Sequence, residues 1–168
     1  PWPDPAARGQ RADGRGRVRR QSRRLERIEG VSGVLRVTRS IHFSTSLRYW
    51  LEDLSEQENR KRFGRAADRH GHNYRLEITV EGEPDEATGM VINLSQIKEV
   101  AEREIMARFD HKDLNLDTDY FVRIPPTPEN FATLIFSLLD EALPEGLLNR
   151  IRLHESPDLY VDVTRPAS

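Results

Sequence analysis

Residues 70–81 read HGHNYRLEITVE, and from His72 onward Tyr74, Leu76, Ile78 and Val80 alternate with polar neighbours. A period of two puts those four side chains on one face of an extended strand. Working outward, residues 34–47 (VLRVTRSIHFSTSL) are rich in β-branched types and alternate in part, which marks a second strand. Between them, 48–71 is polar and irregular, with Asp53 and Ser55 ahead of a short helical stretch at Glu56–Arg62. After the quoted strand, Gly82–Gly89 (GEPDEATG) is turn chemistry. Met90–Leu94 resumes as a short strand, so that 72–94 reads as a hairpin-like pair.

The period then changes. Ile97, Val100, Ala101, Ile105 and Met106 form an apolar stripe on a helix over Ser95–Phe109. Asp110–Pro126 is a long loop. Thr127-Pro128-Glu129 supplies a cap residue, a first-turn proline and a first-turn acid in order, and starts a helix that runs to about Leu143. Pro144-Glu145-Gly146 ends it. Two final strands follow at Leu148–Glu155 and Leu159–Val163, joined by Ser156-Pro157-Asp158. The order ββααββ predicts an α+β domain: a four-stranded antiparallel sheet with two helices on one face.

The chain's 168 residues fit one domain, with 36% apolar and 32% charged residues. The polarity is uneven. Residues 1–33 hold nine Arg, no Lys and four acids, a net charge of +5, which leaves −7 on residues 34–168. The reading is therefore a disordered Arg-rich tail over 1–33 and a folded domain over 34–168. The tail has no aromatic interleaving for base stacking, so a solvated tail is expected rather than a nucleic-acid partner. Absence of cysteine excludes a disulfide framework, a thiolate metal site and a Cys nucleophile. No apolar run approaches the roughly 20 residues of a membrane span, and the N-terminus lacks an apolar signal core, so a cytoplasmic protein without a membrane partner is expected.

Four places carry candidate chemistry. His70 and His72 share a face of extended backbone, with Cα atoms about 6.6 Å apart. They are either two ligands converging on one metal ion or half-exposed strand residues, and Gly71 between them allows a close approach. Asp110 next to His111 is either an acid/base pair, the carboxylate fixing the imidazole's tautomer, or a helix-end turn with a cation at the C-terminus. Glu155, at a strand end, either binds an amidine-like N–H pair of a pterin- or guanine-like ring, or is solvated. Glu129 is a pocket residue or a plain helix-capping acid. His42 lies inside the first strand and reads as a satisfied sheet residue.

Taken together, IHFSTS (41–46), NRKRFG (59–64), HGHNY (70–74), GEPDEATGMVINLSQIK (82–98), FDHKDLNLD (109–117), PTPEN (126–130) and LHESPDLYV (153–161) resemble the 6-pyruvoyl-tetrahydropterin synthase family. That family includes the bacterial 6-carboxytetrahydropterin synthases of queuosine biosynthesis. The resemblance spans about 35–163 and leaves the tail outside. It implies the tunnelling fold (T-fold), subunits closing their sheets into a trimeric barrel, two trimers stacked as a homohexamer, and active sites between subunits. It also implies a lyase acting on 7,8-dihydroneopterin triphosphate, toward tetrahydrobiopterin- or queuosine-type products. Zinc held by three histidines polarises the substrate side chain, a cysteine is the base with help from an Asp–His pair, and a glutamate anchors the pterin ring. By position, His70 and His72 match two zinc ligands, Asp110 and His111 the pair, Glu155 the anchor, and Thr127 and Glu129 the pocket segment.

Two positions depart from that pattern. Leu47 stands where the first zinc histidine should, so a weakened zinc site is expected. Ala66 stands where the cysteine should. His42 has the wrong strand parity to replace Leu47. Asp68 is the nearest carboxylate to the missing cysteine and the best substitute base. It could join the metal only if 66–70 curl, since an extended 68–72 span is about 13 Å. The reading favoured is a divergent lyase using His111 with Asp68 or a water, a retro-aldol cut of the side chain being a variant. The alternative is a degenerate paralogue that binds a pterin-like ligand, or an intact family member, without catalysis.

Overall fold

β1 (Leu35–Leu47) and β2 (His70–Gly82) pair antiparallel along their whole length, from Leu35 opposite Gly82 to Leu47 opposite His70. The structure is a computed structural model and describes residues 34–165; the expected tail over 1–33 lies outside the described residues. β4 (Leu148–His154) joins the other side of β2, and β5 (Tyr160–Thr164) pairs with β4, both antiparallel. A two-residue strand, β3 (Lys112–Asp113), runs parallel to β1 at its outer edge. The sheet order is β3-β1-β2-β4-β5. The four long strands are those expected, and the fold class is α+β as read from the sequence.

The helices form where caps and stripes place them. α1 (Glu56–Phe63) starts with a reciprocal Ser55–Glu58 capping box and passes into a tight turn at Gly64–Ala67. α2 (Leu94–Ala101) continues through a wider π-helical segment at Glu102–Met106 into α3 (Ala107–Phe109), so the stripe runs unbroken to Phe109. α4 (Pro128–Ala142) begins with Thr127 accepting from the Asn130 N–H and proline in its first turn. Apolar residues of β1, β2 and β4, among them Phe43, Leu76, Ile78 and Ile151, are buried against Ile97, Ile105, Phe109, Phe131 and Ile135 of the helices. The opposite sheet face is polar, with Thr38 and Arg75 exposed and Ser44, Glu77 and Arg152 half-buried.

Three local expectations change. Met90–Leu94 is not a strand, because β2 already has a neighbour on each side, β1 and β4, and offers no free edge. Instead Asp85 accepts from the Ala87 and Thr88 N–H groups and the Thr88 hydroxyl, and Gly89 takes φ +71°, which closes a turn. β2 begins two residues early, at His70. β3 lies within the span expected as loop; it is held by side chains rather than by its own pattern. Among the described residues no helix is long and apolar enough to cross a membrane.

Candidate active site

β2 outruns β4. The last paired residues are Arg75 and His154, so residues 70–74 have β1 on one side and no strand on the other. A cavity of about 560 Å³ opens there, lined by His72, Asn73, Arg75, His154, Glu155 and Pro157 among others. Gly71 is needed for strand contact rather than for a ligand: a Cβ there would lie 3.1 Å from the Thr45 carbonyl oxygen of β1.

The two strand histidines point to the helix-covered face, like Tyr74 and Leu76 beyond them. Their rings meet edge to face, 5.0 Å between centroids. His70 Nδ1–H donates to the Asp68 carbonyl at 2.8 Å, which leaves Nε2 as the free lone pair. His72 Nε2 lies 3.2 Å from Glu155 Oε1 without hydrogen-bond geometry. His72 Nε2 and Glu155 Oε2 are both buried with no hydrogen-bond partner. Burial holds the His72 imidazole below its ordinary pKa; the Glu155 charge opposes this and His70 adds to it.

Tyr49 belongs to this corner, and the sequence reading missed it. Its ring packs edge-on to His70 at 6.0 Å and to Phe63 at 6.1 Å, and its N–H donates to the Ala66 carbonyl at 2.7 Å. Burial pushes its phenol pKa up, and the charges of Glu155 and Glu129 push it further. An aromatic residue in an aperiodic loop gives no pattern signal; only the tertiary contacts bring it in. Glu129 is exposed on the first turn of α4, and the Thr127 hydroxyl is engaged as that helix's cap.

Asp110 and His111 stand elsewhere, along the edge of β1 away from β2. Asp110 Oδ1 accepts from the Ser44 N–H at 3.0 Å, and the His111 N–H donates to the Ser44 carbonyl at 2.7 Å. Asp110 Oδ2 lies 3.0 Å from His111 Nδ1. His111 takes φ +56°, the left-handed region, and its side chain is 82% exposed. β1 and β2 both lie between this dyad and Glu155, and neighbouring strands are about 4.8 Å apart. One chain therefore presents the dyad on one side and the cavity on the other.

Residues 36–166 match the profile described as 6-pyruvoyl tetrahydropterin synthase. The chain belongs to the 6-pyruvoyl tetrahydropterin synthase family. It is 44% identical over 127 residues to 6-pyruvoyl tetrahydrobiopterin synthase of Pongo abelii, and 43% identical over 127 residues to that of Homo sapiens. Each match covers 74% of this chain and 88% of the relative. The solved 6-pyruvoyl tetrahydropterin synthase of Caenorhabditis elegans superposes with a TM-score of 0.75 at 28% identity, covering 80% of this chain and 97% of that one. The T-fold expected from the sequence is the fold of this family.

The donor set of one chain does not fit the three-histidine zinc centre that the resemblance implies. Leu47 sits opposite His70 in the ladder and is fully buried, so an isobutyl group fills the place of the third ligand. Among the described residues no three His, Cys, Asp or Glu side chains come together to hold one ion. The tight turn at Gly64–Ala67 does curl the chain ahead of His70, yet the Asp68 carboxylate accepts from Arg60 Nη1 at 2.7 Å in an exposed ion pair. Of Asp68, the main-chain carbonyl reaches His70.

Proposed function

We propose that this chain is a pterin-binding lyase of the 6-pyruvoyl tetrahydropterin synthase type, acting on 7,8-dihydroneopterin triphosphate. The observation that carries the reading is the buried, unpartnered Oε2 of Glu155 at the wall of the cavity. A buried carboxylate oxygen without a donor is costly, and a ligand that brings an N–H pair removes the cost. A pterin ring presents such a pair. Glu155 then orients the ring, and by the family resemblance Thr127 and Glu129 at the start of α4 belong to the same pocket. His72 and His70 face the ring's substituent. The names of the relatives that match at 43–44% identity favour the 6-pyruvoyl product.

Proton handling falls to the dyad. The Ser44 N–H lowers the Asp110 carboxyl pKa, which favours the charged carboxylate that keeps the His111 Nδ1 proton in place. His111 Nε2 is then free to take or deliver a proton. Since the dyad and the cavity lie on opposite sides of one chain, the complete site forms between copies, in a homohexamer by the family resemblance. Asp68 serves as a base only on release from Arg60; otherwise a water takes that part. Zinc has His70 and His72 alone for ligands in one chain and binds weakly. The same reading places the protein in the cytoplasm.

Leu47 and Ala66 favour a second reading, a paralogue that keeps the pterin pocket and has lost the chemistry. Incubation of the zinc-supplemented chain with 7,8-dihydroneopterin triphosphate, followed by chromatography and mass spectrometry, separates the two. Loss of triphosphate or a shortened side chain supports the lyase. An unchanged substrate, with an intact family member turning over alongside, supports the paralogue.

A further inference from the structure

Positions 47 and 66 hold apolar residues here, and both lie at the corner that Tyr49 enters. Leu47 ends β1, and Tyr49 follows two residues later. The hydrogen bond from the Tyr49 N–H to the Ala66 carbonyl ties it to the second of those positions. The edge-on contacts with Phe63 and His70 fix the ring between the end of α1 and the start of β2. The preceding loop residue is also anchored, since the Arg48 N–H donates to Asn115 Oδ1 at 2.8 Å and the Arg48 carbonyl accepts from Asn115 Nδ2 at 3.2 Å. The phenol is thus a placed group, half-buried, and within the influence of the Glu155 and Glu129 charges. Its hydroxyl makes no hydrogen bond to any described residue.

A half-buried hydroxyl on a fixed ring, with its donor unspent, is a ready partner for a ligand acceptor. Glu155, which accepts, lines the cavity, and Tyr49, which donates, stands beside His70, whose ring meets that of the cavity-lining His72. A pterin held by its N–H pair on Glu155 carries its side-chain oxygens on the C6 substituent, at the far end of the ring from that pair. We propose that Tyr49 is a ligand-contacting residue, whose Oη–H donates to an oxygen of the hydroxylated side chain on the ring. This inference rests on the pterin reading above and adds to it a fixed dipole where the chain has an isobutyl and a methyl group.

Calorimetric titration of the full chain and of Tyr49→Phe, with two probes, tests it. 7,8-Dihydroneopterin carries side-chain hydroxyls; 6-methyl-7,8-dihydropterin has the ring without them. The phenylalanine ring keeps both aromatic contacts. The expected result is a loss of about 3- to 10-fold in affinity for dihydroneopterin, the range of one hydrogen bond, with the methyl compound bound equally by both proteins. Equal losses on both probes, or no loss on dihydroneopterin, overturn the proposal while leaving the pterin reading intact. Failure of the unmodified chain to bind either probe overturns both. If Tyr49→Phe unfolds, fluorotyrosine labelling of the unmodified chain gives the same answer: the Tyr49 fluorine resonance should move with dihydroneopterin and stay with the methyl compound. Equal movement, or none, overturns the proposal.

Discussion

Leu47 and His70 are directly opposed residues of the β1–β2 ladder, and Leu47 is fully buried. Opposed residues project to one face with Cβ atoms about 5 Å apart, so a histidine at 47 would join His70 and His72 as a third nitrogen donor. Leu47→Ala would merely leave a cavity. Leu47→His should lower the apparent melting temperature without metal, since about 1.5–3 kcal/mol of leucine burial is lost. Zinc should then restore it by binding the folded form, and should raise the parent's melting temperature far less. Thermal melts with and without zinc check this. An equal zinc response in both proteins would show that the parent already has a third ligand.

Asn59 is a fully buried polar residue whose bonds all go to the chain leading out of β1. Its Oδ1 accepts from the Leu51 N–H at 2.8 Å, and its Nδ2 lies 2.9–3.2 Å from the carbonyls of Leu51, Leu54 and Ser55. That segment carries Tyr49. Asn59→Ala strands several main-chain groups and should cost about 2–3 kcal/mol by urea denaturation. Pterin affinity should fall with it. Full stability in the variant would mean that water replaces the side chain and that the loop is not held from this point.

The Asp110 carboxyl is depressed first by the Ser44 N–H and then by His111. A depressed folded-state pKa contributes stability that is present above the unfolded value of about 3.9 and is lost as pH falls through the folded value. The parent's melting temperature should therefore drop more steeply than that of Asp110→Asn as pH falls below about 4. Superimposable acid limbs would show that the ionised carboxylate adds nothing. At neutral pH the same variant should lose turnover through a misoriented His111, with ring binding at Glu155 intact.

What was legible in the sequence is what local pattern controls. Alternation in residues 72–81, the helix stripe ending at Phe109 and the Thr127-Pro128 start all report on one element and its own cap. The Met90–Leu94 strand failed because the free edge it needed was taken by β4, some fifty residues later in the chain. β3 was invisible because Asp113 holds it from outside any pattern: it accepts from the Ser46 hydroxyl at 2.8 Å and pairs with Arg69. At the site, the His70 and His72 rings lie 5.0 Å apart and Glu155 lies 3.2 Å from His72. Tyr49 entered through packing against Phe63 and His70, and Asp68 turned to Arg60, neither of which residue spacing encodes.

The central claim is that Glu155 and the cavity beside His72 hold a pterin ring. The direct measurement is calorimetric titration of the assembled protein with 7,8-dihydroneopterin, alongside Glu155→Gln. The account predicts one ligand per chain for the parent and an affinity at least about 10-fold weaker for the variant, whose amide keeps the shape and loses the charged acceptor. No binding to the parent, or equal binding to both proteins, would contradict it.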